Sequence, residues 1–261
     1  MSSIDSADNE NERRVIAEFF EELRDTASSL HVLLGNLRSK AVPPDEALAE
    51  IRRSAHNMGS EAQTVGVPLI KLITHRLSEY VADLKTLDKA GIDEIEAFVV
   101  KIEAIANGEP VGEADVPSVI RSLPAKRTAD IDFGNIEKKD VEILLVLPEK
   151  AMAHIVQREL ANCGYRTSTV RDAFQAIETV VRTRPDMVIG AMELGVVSGI
   201  DLACALAAMP VTESVPYALL TSYELGHAKL KGLPSRAAII RKSNMFGVDI
   251  AETLIRFGVG A

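Results

Sequence analysis

The chain has 261 residues, of which 47% are hydrophobic and 26% charged, and its formal net charge is −9 at pH 7. This length suits two modest globular domains, whereas the acidic pI near 5.2 argues against nucleic acid as a partner, because phosphate binding needs a basic surface. No apolar run approaches a membrane span, the start has no signal-peptide character and the two cysteines lack metal-type spacing, so we expect a reduced, cytoplasmic protein without membrane contact.

The first 108 residues predict a helical bundle behind a short disordered segment. Residues 1–10 are rich in Ser, Asp and Asn, and we expect them to be disordered. Over residues 11–108 apolar residues recur at helical spacing in four stretches, which are residues 12–37, 44–66, 68–84 and 91–107. Because the connections between these stretches are short, they predict an antiparallel four-helix bundle.

The composition changes after the bundle. In residues 109–139 Gly, Pro, Asp and Lys dominate, which predicts a linker with at most one short helix near residues 116–123. In residues 140–261 short apolar runs alternate with helical patterns, including a weak helix over residues 225–230. The five predicted strands are residues 141–147, 166–170, 187–191, 217–221 and 237–240. Five strands alternating with five helices predict a doubly wound α/β domain, so the expected fold class is multidomain, α plus α/β.

The second predicted helix carries a histidine on its polar side. At about 100° per residue its apolar residues form one narrow stripe, which consists of Ile51, Ala55, Met58, Ala62 and Val65. Its opposite side consists of Arg52, His56, Gly59, Ser60 and Gln63. His56 is therefore expected to face solvent among small or polar neighbours, where a second protein can reach its imidazole ring. The other four histidines lie in no motif, and we expect solvated or capping roles for them.

The stretch around His56 resembles the histidine phosphotransfer (Hpt) domain of two-component systems. The motif of that family runs Ala-His-x-Leu-Lys-Gly, with a further glycine ten residues after the histidine, and Ala55, His56, Met58 and Gly66 match it. The resemblance implies a four-helix bundle in which His56 is the phosphoacceptor. An imidazole suits this role because it is largely neutral and nucleophilic at cytosolic pH.

Two positions depart from the motif. Gly59 stands where the family usually has a lysine that helps to hold the phosphate, and Ser60 stands where it usually has glycine. Glycine inside a helix costs about 0.5–1 kcal/mol relative to alanine, so we interpret Gly59 as a gap that lets a partner approach His56. Arg52, Ser60 and Gln63 either orient the ring or the phosphate, or form a solvated polar face.

The second half of the chain resembles a response-regulator receiver domain over nearly its whole length. The resemblance depends on the order and spacing of six landmarks, at residues 143–146, 163–165, 184–188, 199–202, 220–222 and 241–243. Receivers need an acidic pair after the first strand to hold Mg²⁺, because this cation prefers carboxylate oxygens. They also need an aspartate at the end of the third strand as phosphoryl acceptor, a hydroxyl group after the fourth and a lysine after the fifth.

The residues at these receiver positions are largely replaced here. The positions fall on Leu147, Pro148, Glu149, Ala191, Thr221 and Lys242. Leucine and proline cannot coordinate a metal and alanine has no nucleophile, so we expect a pseudo-receiver that cannot be phosphorylated in the usual way. Thr221 and Lys242 are expected to be relics with structural roles at the strand ends.

Together the two resemblances imply a bacterial two-component phosphorelay protein. His56 would carry a phosphoryl group between receiver domains, and the partners would be receiver domains of response regulators or a hybrid histidine kinase. The pseudo-receiver would serve docking or dimerisation, including a homodimer. No ATP-binding domain is seen, so we expect a phosphotransfer intermediate rather than a kinase. No cofactor and no metal are expected, because the partner receiver would supply Mg²⁺.

A second hypothesis belongs to another class of function. Both halves would be degenerate, and the protein would be a signalling adaptor that binds a kinase or a receiver without phosphotransfer. The glycine at position 59 and the inactive receiver favour this alternative. The two hypotheses differ in one test, since a relay requires His56 and an adaptor tolerates His56→Gln.

Overall fold

The structure is a computed structural model that describes residues 2–126, 139–243 and 246–260, with side chains from residue 10 onwards. The chain divides into two compact units, residues 1–124 and 125–261. Within the described residues, no helix combines the length and the apolar character that a membrane span requires.

The first unit is a bundle of four helices with a short fifth. The helices are α1 (Ser2–Arg38), α2 (Pro44–Val65), α3 (Pro68–Val81), α4 (Lys89–Ala106) and α5 (Val116–Ser122). Their ends follow from the sequence: Pro44 begins α2, Gly66 ends it with a left-handed φ of 76°, and the side chain of Asp88 caps α4 by accepting a hydrogen bond from the Gly91 N–H group. The apolar faces meet in one core, in which the rings of Tyr80 and Phe98 lie 5.8 Å apart.

Two boundaries of the predicted first domain differ from the structure. Residues 1–10 were expected to be disordered, but α1 begins at Ser2; the sequence contains neither glycine nor proline before Gly35, so nothing interrupts the helix. The predicted linker at residues 109–139 is also too long. Val116, Ile120 and Leu123 are buried in the core of the bundle, and only the later part of that segment, residues 127–138, lies outside the described residues.

The second unit is a parallel five-stranded sheet with helices around it. Its strands are β1 (Glu142–Val146), β2 (Arg166–Val170), β3 (Met187–Ala191), β4 (Tyr217–Thr221) and β5 (Ala238–Arg241). Its helices are α6 (Lys150–Asn162), α7 (Ala173–Thr183), α8 (Gly199–Ala208) and α9 (Phe246–Phe257). The strand order β2-β1-β3-β4-β5 is that of flavodoxin-like doubly wound folds. The predicted fold class, a helical bundle and a (βα)5 domain, is confirmed.

One predicted helix of this unit is wrong. The segment between β4 and β5 was expected to contain a helix over residues 225–230, but the structure has only a 3-10 turn, Ala228–Leu230. Gly226 and Gly232 flank this turn with φ angles of 88° and 98°. These left-handed conformations interrupt a helix on both sides.

The strand order indicates which edge of the sheet is expected to carry a ligand site. Consecutive connections run from β1 to β2 on one side and then to β3 on the other, so the strand order reverses beside β1. In open α/β sheets the ligand crevice lies outside the carboxyl ends of the strands at such a reversal. The loops that follow β1, β3, β4 and β5 meet there.

Candidate functional site

His56 projects from α2 into solvent. Ala55 and Met58, which are 1% and 2% exposed, fix the buried side of the helix, while His56 itself is exposed. This confirms the orientation that the helical period predicts for the ring. Pro44 begins α2 and the left-handed Gly66 ends it. His56 lies well inside these limits, so its ring extends from a regular helical backbone.

Two contacts set the register of α2 against the antiparallel α3. A Cβ atom added at Gly59 would lie 2.9 Å from Oγ1 of Thr74. The second contact joins α2 to the end of α3, where Nε of Arg52 donates a hydrogen bond to the carbonyl oxygen of Val81 at 3.0 Å. His56 lies between these two contacts along α2, so the part of α3 opposite to it is the part between Thr74 and Val81.

Gly59 has a different physical reason from the one expected. The close approach that requires a glycine here is made by α3 of the same bundle, because the side chain of Thr74 occupies the space that a Cβ atom would need. Thr74 is fully buried, and its hydroxyl group donates hydrogen bonds to the carbonyl oxygens of Ile70 and Lys71, at 2.8 and 3.1 Å. Internal packing therefore accounts for Gly59 without a partner, and a lysine at this position would collide with Thr74.

Arg52 ties α2 to the end of α3. Besides the bond to Val81, the last residue of α3, its Nη2 donates to the carbonyl oxygen of Leu84, three residues further on, at 2.5 Å. The guanidinium group thus satisfies backbone acceptors that a helix end leaves without partners. Ser60 and Gln63 are both exposed on the side of α2 that carries His56. The structure brings these two residues together with His56 on one surface, whereas Arg52 belongs to the α2–α3 interface.

A second histidine lies on the α3 segment opposite His56. The His75 side chain is 34% exposed, and its Nε2 is 3.8 Å from Oε2 of Glu79 on the next turn of the helix. Sequence reasoning expected only a solvated or capping role for His75. The sequence feature that could have placed His75 near His56 is the two-residue connection of Gly66 and Val67. A connection this short makes α2 and α3 adjacent antiparallel helices.

In the second unit, the six degenerate receiver positions line one cavity. Its volume is about 410 Å³, and we call it the strand-edge cavity; its lining is Leu147, Pro148, Glu149, Met152, Ala191, Met192, Glu193, Thr221, Ser222, Tyr223 and Lys242. Leu147, Ala191 and Thr221 are 2%, 8% and 1% exposed and form its inner wall. Glu149 and Lys242 are exposed at its mouth. The sequence thus predicted correctly which residues meet at this edge of the sheet.

The lining of the strand-edge cavity does not fit a magnesium ion. Leu147, Pro148 and Ala191 present no side-chain oxygen, although Mg²⁺ requires an octahedral set of oxygen ligands. Within the described residues, no group of three or more His, Cys, Asp or Glu side chains is arranged to hold a metal ion. Among the other predicted positions, Thr221 and Lys242 donate hydrogen bonds, and the one carboxylate, that of Glu149, is exposed at the mouth of the cavity.

Comparison with protein families assigns the first unit. Residues 14–108 match the family model of the Hpt domain. The first unit therefore contains an Hpt domain, which is a domain type of two-component phosphorelays. No curated protein matches the chain.

Comparison with solved structures concerns the other half. The receiver domain of a sensor histidine kinase from Pseudomonas aeruginosa is 23% identical, with a TM-score of 0.41, over 47% of this chain and 99% of that chain. The chemotaxis response regulator CheY4 of Vibrio cholerae is 19% identical, with a TM-score of 0.40, over 45% and 98%. A receiver domain of a histidine kinase from Syntrophus aciditrophicus is 26% identical, with a TM-score of 0.40, over 45% and 89%.

Proposed function

We propose that His56 accepts a phosphoryl group from the aspartyl phosphate of a partner receiver domain and passes it to another. The observation that carries this proposal is the exposed imidazole of His56, on a regular helix within the Hpt domain. Ser60 and Gln63 are exposed on the same surface, and neither covers the ring, which is itself exposed to a docking protein. The partners are receiver domains of response regulators or of a hybrid histidine kinase.

The chemistry needs little more from this chain than the ring and its position. A neutral imidazole nitrogen attacks the phosphorus atom, the bond from phosphorus to the aspartyl oxygen of the partner breaks, and the aspartate leaves as a carboxylate. The partner supplies the Mg²⁺ that offsets charge on the phosphoryl oxygens. The rigid α2 supplies alignment, since a ring held in line with the phosphorus atom removes much of the entropic barrier.

Arg52 contributes to this alignment as a positioning residue. Its hydrogen bonds to the end of α3 hold the first half of α2, one turn before His56, against the bundle. Ser60 and Gln63 are available to the phosphate after transfer, as donors of hydrogen bonds. Gly59 acts through packing, because it lets α2 approach Thr74 closely.

The experiment is phosphotransfer from receivers that carry radiolabelled phosphate. We expect the wild-type chain to acquire acid-labile label from a cognate receiver and the His56→Gln variant to acquire none. His75→Gln is the matched control, because His75 is the histidine on the helix opposite His56, and this variant should be labelled like the wild type.

Two outcomes contradict the proposal. If His56→Gln is labelled and His75→Gln is not, the phosphoacceptor is His75 and not His56. If a receiver binds the chain measurably but no label is transferred, the protein is an adaptor that works without phosphotransfer.

For the second unit we propose a docking role, with a second copy of the chain as the partner. Val248 and Ile255 lie two turns apart on α9 and are 46% and 79% exposed, so they form an apolar stripe that the described residues of the unit do not cover. Glu252 and Arg256 are exposed along one side of this stripe. In an antiparallel pair of α9 helices related by a two-fold axis, the apolar stripe packs on the stripe of the other copy, and the opposite charges of Glu252 and Arg256 lie beside it, so the surface is suited to a second copy of itself.

The oligomeric state tests this docking role. We expect the wild-type chain to sediment as a dimer and Ile255→Glu to sediment as a monomer, because a charge within the stripe cannot be buried without a partner. Val32→Glu is the control, since Val32 is a comparably exposed valine, 65%, in the bundle. A monomeric wild type, or a dimer that persists in Ile255→Glu, would contradict the role of α9.

A further inference from the structure

The strand-edge cavity keeps three donor groups while it has lost the acidic groups of a receiver. Thr221 is the last residue of β4, Ser222 comes directly after it, and Lys242 comes directly after β5. The backbone N–H group of Lys242 donates to the carbonyl oxygen of Thr221 at 2.9 Å, which holds the two strand ends side by side. Two hydroxyl groups and one ammonium group therefore border the same space.

These donors are available for a ligand. In the part of the chain that the structure describes, no carboxylate forms an ion pair with the ammonium group of Lys242. The hydroxyl oxygen of Thr221 accepts a hydrogen bond from the Tyr223 N–H group at 3.2 Å, which leaves its own proton to be donated into the cavity. An ammonium group beside hydroxyl donors is a set that binds the oxygens of an anion.

The amino-terminal end of α6 adds a second source of positive potential. This helix of 13 residues begins at Lys150, and the side chain of its N-cap residue Glu149 accepts no hydrogen bond from the N–H groups of the first turn. Glu149 and Met152 line the cavity, which places this end of α6 at its wall. The positive end of a helix dipole favours a negative charge beside it.

The remaining acidic groups of the cavity lie at its rim. Glu193 is exposed, and its charge acts on Lys229: the pKa of Lys229 is raised chiefly by the hydrogen bond to the Tyr223 hydroxyl group and to a smaller extent by Glu193. Glu149 is exposed to water, which screens its charge. The inner wall, where a catalytic receiver carries its acidic residues, is formed by the uncharged Leu147 and Ala191.

We propose that the strand-edge cavity binds a phosphate-type dianion directly, without a magnesium ion, through Lys242, Thr221, Ser222 and the first turn of α6. A catalytic receiver has carboxylates in this space, and they repel such an anion unless a metal ion offsets their charge. Replacement of these carboxylates by Leu147, Pro148 and Ala191 removes the repulsion. The cavity, at about 410 Å³, lies within the range of roughly 300–1,000 Å³ found for small-molecule sites. This function is independent of phosphotransfer at His56.

The test is a titration of inorganic phosphate into the full chain, followed by backbone and methyl NMR. The His56→Gln variant serves as the parent, so that the Hpt domain adds no phosphorylated species, and EDTA is present at constant ionic strength. We expect saturable shifts at the ends of β4 and β5 and in the first turn of α6. Addition of MgCl₂ in place of EDTA should leave the affinity unchanged.

Three substitutions in that parent make the test specific. Lys242→Met should weaken phosphate binding by about tenfold or more, the loss expected for a charge-assisted hydrogen bond, whereas Lys231→Met, an exposed lysine outside the lining, should leave it unchanged. Glu149→Gln should strengthen binding, because it removes a negative charge from the mouth. Ala191→Asp should abolish binding in EDTA, because it restores a carboxylate to the inner wall.

Other results would overturn the proposal. Absence of saturable shifts, a strict requirement for Mg²⁺, or an equal loss in Lys242→Met and Lys231→Met would each show that the cavity does not bind the anion in this way. Phosphohistidine, titrated in the same manner, distinguishes the source of the anion. Tighter binding of phosphohistidine than of inorganic phosphate assigns the site to a phosphoryl group carried on a protein, and the reverse order assigns it to a free anion.

Discussion

Gly59 is an unusual residue for the interior of a helix, and the reason for it is packing within the bundle rather than access for a partner. A glycine in the middle of α2 weakens the helix, and beside an exposed histidine it suggests access for a partner. The structure instead shows the fully buried Thr74 directly across the helix interface. Sequence reasoning could not find this contact, because it depends on the register of α2 against α3 and not on either helix alone.

Substitution of Gly59 tests this packing. We expect Gly59→Ala to lower the free energy of unfolding of the bundle by about 1 kcal/mol, because overpacking costs about 1–3 kcal/mol and the gain in helix propensity recovers about 1. In a Thr74→Ala background the same change should instead stabilise, since the new methyl group finds space. Urea unfolding, followed by methyl NMR signals of the bundle, measures both changes. Destabilisation of equal size in the two backgrounds would show that Thr74 is not the cause.

At the scale of elements, an ion pair fastens the last helix to the last strand. Asp249 on α9 is 7% exposed, and its two oxygens accept hydrogen bonds from Nη2 and Nε of Arg241, at 2.8 and 2.9 Å. The backbone N–H group of Arg241 also donates to Asp249, at 3.0 Å. The side-chain hydrogen bond from Arg241 is the main reason that the pKa of Asp249 lies below its usual range.

This pair predicts how the stability of the second unit depends on pH. Because the pKa of Asp249 is lower in the folded state than in the unfolded chain, the pair stabilises the fold above the unfolded pKa of about 3.9, and this contribution is lost as the pH falls through the lower folded value. We expect Asp249→Asn to cost about 2 kcal/mol at pH 7 and progressively less below pH 4. Urea unfolding, followed by methyl NMR signals of the second unit, measures this difference.

The control for this pair is Glu213→Gln, which removes an exposed carboxylate elsewhere in the second unit. It should change the free energy of unfolding by no more than about 0.5 kcal/mol at either pH. A cost of Asp249→Asn that is the same at pH 7 and pH 3 would contradict the assignment.

The elements themselves were largely predictable, and the exceptions have local causes. The buried strands β1 and β3 are continuous apolar runs, and the long helices have clear apolar periods, so both kinds are found from sequence. The turn at Ala228–Leu230 was mistaken for a helix because the left-handed conformations of Gly226 and Gly232 are not visible in the apolar pattern. Helix α5 lies where the sequence allows a short helix within the predicted linker, but its seven residues are too few for an apolar pattern to show that it packs into the bundle.

The candidate sites were predictable to different degrees for the same physical reason. Six of the eleven residues that line the strand-edge cavity were named from the sequence, because parallel strands bring their carboxyl ends to one edge whatever the side chains are. The exposure of His56 followed from the helical period. The contacts made by its neighbours depend on tertiary packing and appear only in the structure. Gly59 packs against Thr74, and Arg52 donates hydrogen bonds to the end of α3.

At the scale of the whole molecule, two units with different chemistry lie on one chain. The Hpt domain offers an exposed nucleophile, and the receiver-like unit offers a cavity without the acceptor aspartate and without the acidic pair. Under the proposed function, a phosphoryl group accepted by His56 cannot be passed to Ala191 of the second unit, since alanine has no group to accept it. The account predicts that phosphoryl groups pass between other receiver domains through His56 alone.

Passage of label between two receivers through this chain is the most direct test of that claim. A phosphorylated donor receiver, the chain and an unlabelled acceptor receiver are mixed, and label on each is followed with time. We predict that label appears on the chain first and on the acceptor later, that His56→Gln prevents both steps, and that Lys242→Met prevents neither. Label that reaches the acceptor equally fast with His56→Gln, or that never leaves the wild-type chain, would contradict the account.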